Sequence, residues 1–198
     1  WLNKLEALVD SPFEETIFFD CDMASGGPVS HWFDALGTDD LTFWHEWRTP
    51  ESAADEMHLN HLNPHVACPY YGVKAVPGAG GGGHYFVRKS ERARRLINRA
   101  AAIMVEAHED TDCLYWKLAG KGNIIGDEPA ACMAMTEMGV KWPEAGPPSE
   151  CPVGVFMAPW QKWREPDFEN GHLSYECHWA KGVREPLVIH FAGPGKND

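Results

Sequence analysis

Apolar positions change period several times along the chain, and each change marks an element. Trp1, Leu5, Leu8 and Val9 fall at i, i+4, i+7 and i+8, the stripe of a short amphipathic helix that stops at the Ser11-Pro12 turn signal. Thr16-Ile17-Phe18-Phe19 is a continuous β-favouring run, which predicts a buried strand ending abruptly at Asp20-Cys21-Asp22. His84-Tyr85-Phe86-Val87-Arg88 reads as a second strand. Directly after it, Ser90 is the expected N-cap of a helix with Ala93, Leu96, Ile97, Ala100, Met104 and Ala107 on one face. Asn123-Ile124-Ile125-Gly126 leads to a further helix, with Asp127 as cap, Ala130, Met133, Ala134 and Met138 on its apolar face, and Gly139 closing it.

Residues 24–83 are rich in Gly, Pro, His and Trp and carry weak periodicity, which predicts long loops and short elements, with the glycine tract from Gly78 to Gly83 as flexible backbone. Beyond a Pro-rich turn from Pro143 to Pro152, Val153–Met157 and Leu187–Phe191 read as strands. Strands and helices mix without a repeat, so the expected class is α/β, in a single domain over residues 1–198.

Composition narrows the function classes. The 198 residues carry 17 Lys plus Arg against 29 Asp plus Glu, a formal charge of −12, which argues against a nucleic-acid-coating role but not against an enzyme acting on nucleic acid. Hydrophobic residues make up 44% of the chain, more than a disordered chain carries, and no apolar run approaches the roughly 18 residues that span a bilayer. The N-terminal residues lack the basic region and apolar run of a signal peptide, so the expected location is cytoplasmic. The six cysteines, Cys21, Cys68, Cys113, Cys132, Cys151 and Cys177, form no CxxC pair and are read mostly as reduced core thiols.

Chemistry enters first at Asp20 and Asp22. Side chains at i and i+2 of an extended strand share a face. Two converging carboxylates repel unless a cation lies between them, and a hard divalent ion such as Mg²⁺ or Mn²⁺ takes oxygen ligands of this kind. The same two acids also suit a turn and cap at a strand end, and neighbouring motifs have to decide.

SPFEETIFFDCDM (residues 11–23) resembles the SPF, apolar strand and DxD segment of GT-A-fold nucleotide-diphospho-sugar transferases, above all the glycogenin and bacterial galactosyltransferase-like group. GGGHYFVRKSERARRL (81–96), GDEPAACMAM (126–135) and VIHFAGPGK (188–196) resemble that group's glycine-strand-helix segment, its DQD helix start and its terminal HFxGxxK. The resemblance implies a metal-dependent, retaining hexosyltransferase using a nucleotide sugar, with a UDP-sugar as the expected donor and an acceptor that is a glycan, a protein, a small molecule or a modified nucleic acid. By position it assigns Asp20 and Asp22 to the metal and the donor, His190 to the metal, and Gly193 and Lys196 to the donor diphosphate. It assigns Asp127 and Glu128 to the donor sugar and acceptor, with Glu128 standing where the group has Gln and Pro129 where it has its second acid. An imidazole ligand suits Mn²⁺ better than Mg²⁺. Only 10 residues precede Ser11, so the group's N-terminal nucleotide-binding unit is expected to be missing and the base pocket built otherwise.

Other readings use overlapping residues. IFFDCDMA and IIGDEPAACMAMTEMGVK also look like the first and last motifs of haloacid-dehalogenase-type phosphatases, with Asp20 as nucleophile and Asp22 as acid/base, although Ala24 and Ala131 replace two expected residues. A non-catalytic metal- or sugar-binding module is a further alternative. His58, His61 and His65 with Cys68 could hold Zn²⁺, or each could bond backbone or water, and Pro64 would break a helix aligning the rings. Arg88, Lys89, Arg92, Arg94, Arg95 and Arg99 place six cations in twelve residues, either a dock for a phosphate-bearing acceptor or a solvated helix face with Arg92, Arg95 and Arg99 outward. Trp160 and Trp163 could stack on a sugar or base, or anchor a loop.

Overall fold

The computed structural model describes residues 2–21, 23–25, 29, 30, 33, 41, 42, 45–51, 62–79, 84–119, 125–140, 175–177, 182–184 and 188–190. Within them the fold mixes helices with small antiparallel sheets. The helices are α1 (Leu2–Val9), α2 (Pro64–Tyr71), α3 (Glu91–Glu109), α4 (Leu114–Leu118) and α5 (Asp127–Glu137). The strands are β1 (Glu15–Phe19), β2 (Met23–Ser25), β3 (Leu41–Thr42), β4 (His45–Arg48), β5 (Val76–Ala79), β6 (His84–Arg88), β7 (Tyr175–Cys177), β8 (Gly182–Arg184) and β9 (Val188–His190). No described helix is long and apolar enough to cross a membrane.

The largest sheet has the order β1-β6-β3. β6 is central, and its register with β1 runs from Glu15↔Arg88 to Phe19↔His84, while Leu41 and Thr42 of β3 face Val87 and Phe86. β1 is therefore an edge strand among the described residues, and its last four residues are half-buried rather than fully buried as the continuous apolar run suggested. Two-stranded pairs β4-β5, β2-β9 and β7-β8 complete the strands.

The helical layer follows the predicted stripes. Ser90, in extended conformation, accepts from the Ala93 N–H at 3.0 Å and caps α3; all six of the helix's predicted inward residues are buried, joined by Ile103. α3 packs on α5 and on α1, and α5 also packs on β5. α5 is buried from Pro129 through Thr136 on every side, so its expected one-sided apolar face is instead the signature of a central helix. Its N-cap is Gly126 and Asp127 is its first helical residue, without a capping bond. Gly139 adopts φ +68°, and the Val140 N–H reaches back to the Met135 carbonyl at 3.0 Å, the left-handed closure expected of glycine there.

Pro64 opens α2 at a position where its missing N–H costs nothing, with Asn63 accepting from the His65 N–H as cap. Gly78 is an ordered strand residue rather than flexible backbone, and a Cβ there would lie 2.7 Å from Arg48 Cδ. α4 and the β7-β8 pair carry no marked sequence signal. The expected strand Val153–Met157 lies outside the described residues.

Candidate functional site

Three elements deliver polar side chains to one end of the main sheet. β1 runs out at Phe19 and hands the chain to Asp20. α1 is pinned by Leu5 and Leu8, 2% and 3% exposed, and this seats Lys4 of the same helix over the sheet end. Phe18 and Tyr85 are cross-strand partners, and the Lys4 ammonium stands over both rings, 5.6 Å and 5.4 Å from their centroids. α5 begins against the same spot and contributes Asp127.

The result is a closed polar cluster. Lys4 Nζ lies 2.8 Å from Asp20 Oδ1 and 2.8 Å from Asp127 Oδ2. The Tyr85 hydroxyl donates to that same Asp127 Oδ2 at 2.9 Å. Side-chain exposure is 11% for Lys4, 26% for Asp20 and 6% for Asp127. Burial pulls the Lys4 ammonium toward neutrality, but the charges and hydrogen bonds of Asp127 and Asp20 together outweigh it and hold the group above its ordinary value. Burial, reinforced by the charges of Asp127 and Glu128, pushes the Tyr85 phenol well up. The phenol therefore stays protonated and donates to Asp127 throughout the neutral range.

Two acids picked from separate motifs, Asp20 and Asp127, thus share one cation. Asp127 is not a helix cap: its Oδ2 takes tertiary bonds from Lys4 and Tyr85. Glu128 follows it, half-buried and engaged with its own partners. Asp20 and Asp22 share a face only on a strand that continues through them, but β1 ends at Phe19 and the Met23 N–H turns back to the Asp20 carbonyl at 3.1 Å. Asp22, Gly193 and Lys196 lie outside the described residues. The backbone of His190 is described, and β9 sets it opposite Met23 in the β2-β9 pair.

For a divalent ion, the residues fit in chemical type. Lys4 engages Oδ1 of Asp20, so an ion would take the other carboxylate oxygen, with Asp22 and His190 as the remaining candidate ligands. Among the described residues no group of three His, Cys, Asp or Glu side chains gathers as a metal cluster. His65 is exposed while Cys68 of the same helix is buried, 3% exposed, and burial, then the charge of Glu51, pushes that thiol up and away from the thiolate that zinc needs. His58, His61, Trp160 and Trp163 lie outside the described residues.

The basic run divides. Arg99 is not part of an outward face: it donates to Glu137 at 2.6 Å, Glu106 at 3.1 Å and the Tyr115 hydroxyl at 2.7 Å, tying α3 to α4 and α5. Arg92, Arg94 and Arg95 are exposed. The cysteines divide too: Cys68 and Cys132 are buried core thiols, whereas Cys21, beside Asp20, is exposed.

Lys4 and Tyr85 are the site residues that sequence reasoning missed. The one available signal is weak: Lys4 sits beside Leu5 and four residues before Leu8, on the flank of the buried stripe. Comparison with family models, with curated proteins and with solved structures finds no match to this chain.

Proposed function

We propose that this chain is a GT-A-like glycosyltransferase that moves a sugar from a nucleotide-diphospho-sugar, a UDP-sugar above all, to an acceptor hydroxyl. One observation carries the reading: Asp20 and Asp127, from two of the four resembling segments, meet on the Lys4 ammonium. The backbone of a third segment, at His190, pairs three residues beyond Asp20.

The chemistry suits these groups. Breaking a glycosidic bond to a nucleoside diphosphate builds negative charge on the leaving group and positive, oxocarbenium-like charge on the sugar. Asp20, Asp22 and His190 would hold a divalent ion such as Mn²⁺, which would supply charge stabilisation for the diphosphate. Gly193 and Lys196 bind that diphosphate, to which Lys196 offers a cation. Lys4 and Tyr85 both bond Asp127 and fix its orientation, so a carboxylate of set direction faces the developing sugar cation. Glu128, on the same helix start, hydrogen-bonds the acceptor hydroxyl.

The test is release of nucleoside diphosphate from a panel of nucleotide sugars, with and without Mn²⁺. Metal-dependent release from a UDP-sugar is expected, reduced about a hundredfold, on the order of 3 kcal/mol of barrier, in Asp127→Asn. Circular dichroism confirms that the variant is folded, since the Asn also loses its charge contact to Lys4. Hydrolysis of a phosphomonoester with indifference to nucleotide sugars would instead assign Asp20 the role of a phosphatase nucleophile. Metal retention without any turnover would make the chain a binding module.

A further inference from the structure

At the other end of β1 from Asp20, α1, the 11–16 segment, the end of β6 and the start of α3 line a half-open cavity of about 270 Å³. Its floor is apolar: Leu8, Val87 and Ile97 are 3%, 6% and 2% exposed. Phe13 forms part of its wall and is 67% exposed, a large ring left in water beside a hollow. Lys89 and Arg94 stand on its rim. The volume falls just below the roughly 300–1,000 Å³ of small-molecule pockets, and suits one bulky side chain rather than a whole cofactor.

The charge around it is unlike the rest of the molecule. The chain carries a formal −12, yet residues 88–95 hold five cations and one acid. Arg88 is paired with Glu15 at 2.6 Å, and Arg94 reaches Glu91 only at 3.8 Å, with both side chains largely exposed. Among the described residues Lys89, Arg92 and Arg95 have no ionic partner. An apolar hollow lined at its edge by Lys89, Arg94 and Glu91, beside a run of five cations and one acid on an acidic protein, is complementary to an apolar anchor flanked by carboxylates.

We propose that this cavity docks an acidic polypeptide segment, which inserts one bulky apolar side chain against Phe13, Leu8 and Ile97 while its Asp and Glu residues face Lys89, Arg92, Arg94 and Arg95. The surface is distinct from the Asp20–Asp127 cluster, and docking does not depend on the activity proposed for that cluster.

The experiment uses the full chain and a fluorescein-labelled peptide with one Phe among Asp, Glu and Gly residues, read by fluorescence anisotropy at low and high salt. Saturable binding is expected, weakened about tenfold or more in Lys89→Glu/Arg94→Glu. It is weakened about fivefold or more in Phe13→Ala, and by a similar factor when the peptide's Phe becomes Gly. All three protein positions are exposed, so these variants fold, which a thermal melt verifies. Absence of saturation, affinity unchanged in either variant, or no dependence on the peptide's Phe would overturn the proposal. So would octanoate displacing the peptide with equal affinity, which would make the cavity a small-molecule site, or a single-stranded oligonucleotide binding as tightly as the peptide.

Discussion

Lys4 decides how a buried and a half-buried carboxylate are tolerated side by side. Deleting one partner of a buried ionic cluster strands the others, typically at 3–5 kcal/mol. Here Asp20 is 26% exposed, so water relieves part of the cost, and Lys4→Met is expected to lose about 2 kcal/mol, read by urea unfolding at neutral pH. The pH dependence has a definite sign. A folded-state Lys4 held above its ordinary 10.5 gives stability that is fully present below 10.5 and is lost as the pH rises through the higher folded value. Tyr85, also raised, acts in the same direction. From neutral pH upward, wild-type stability should therefore hold to about pH 10 and fall as the pH rises further, and Lys4→Met should flatten part of that fall. Equal stability of variant and wild type at both ends would remove Lys4 from this role. The acids of this cluster were legible in the sequence because one ends an apolar strand and the other starts a helix. Lys4 was not, because its partners come from β1 and α5, and a helical stripe specifies only which residues turn inward. Asp127 was misread as a cap for the same reason: locally an Asp at a helix start satisfies its own backbone, and only the tertiary bonds to Tyr85 and Lys4 outbid that use.

Elements were legible where a local physical cause marks them. β6 and α3 were read nearly to the residue, since a short apolar strand, a Ser cap and a long inward stripe each have a local physical cause. α5 was located but its face was not, because a helix buried on all sides has no apolar periodicity to read. α4, five residues long, and β7 and β8, three residues each, are too short to impose a period, and their existence rests on packing. The same logic makes the α3 cap a measurable local contribution. Ser90→Ala leaves the Ala93 N–H without its side-chain acceptor and should cost about 1 kcal/mol, while Ser90→Asp, which keeps an acceptor oxygen, should restore most of it. Thermal and urea unfolding of the pair measures this; equal losses in both variants would mean that Ser90 acts through packing on its neighbours rather than through the cap.

At the scale of the molecule, the described core and the candidate chemistry draw on different parts of the chain. Every residue of the described hydrophobic core lies between Leu5 and Met135, whereas His190 enters through β9, whose partner strand among the described residues is β2. That antiparallel sheet order, and the β2-β9 contact in particular, could not be read from the sequence, since pairing across such a separation depends on closing a long loop and leaves no local trace. It has a consequence for truncation. A three-residue ladder (Met23↔His190, Ala24↔Ile189, Ser25↔Val188) adds only a few net hydrogen bonds of about 1 kcal/mol each, so losing this ladder by removing residues 187–198 should cost about 3 kcal/mol. Cooperative unfolding and the helical circular dichroism signal should persist, because α1, α3, α5 and the β1-β6-β3 sheet contain none of those residues. Mn²⁺-dependent release of nucleoside diphosphate should vanish, because His190, Gly193 and Lys196 are gone while Asp20 and Asp127 remain on Lys4. A folded truncation that keeps full metal-dependent turnover would exclude the C-terminal segment from the site and leave Asp20, Asp22, Asp127 and Glu128 to account for the chemistry. A truncation that fails to fold would show that β9 is part of the core rather than an attachment to it.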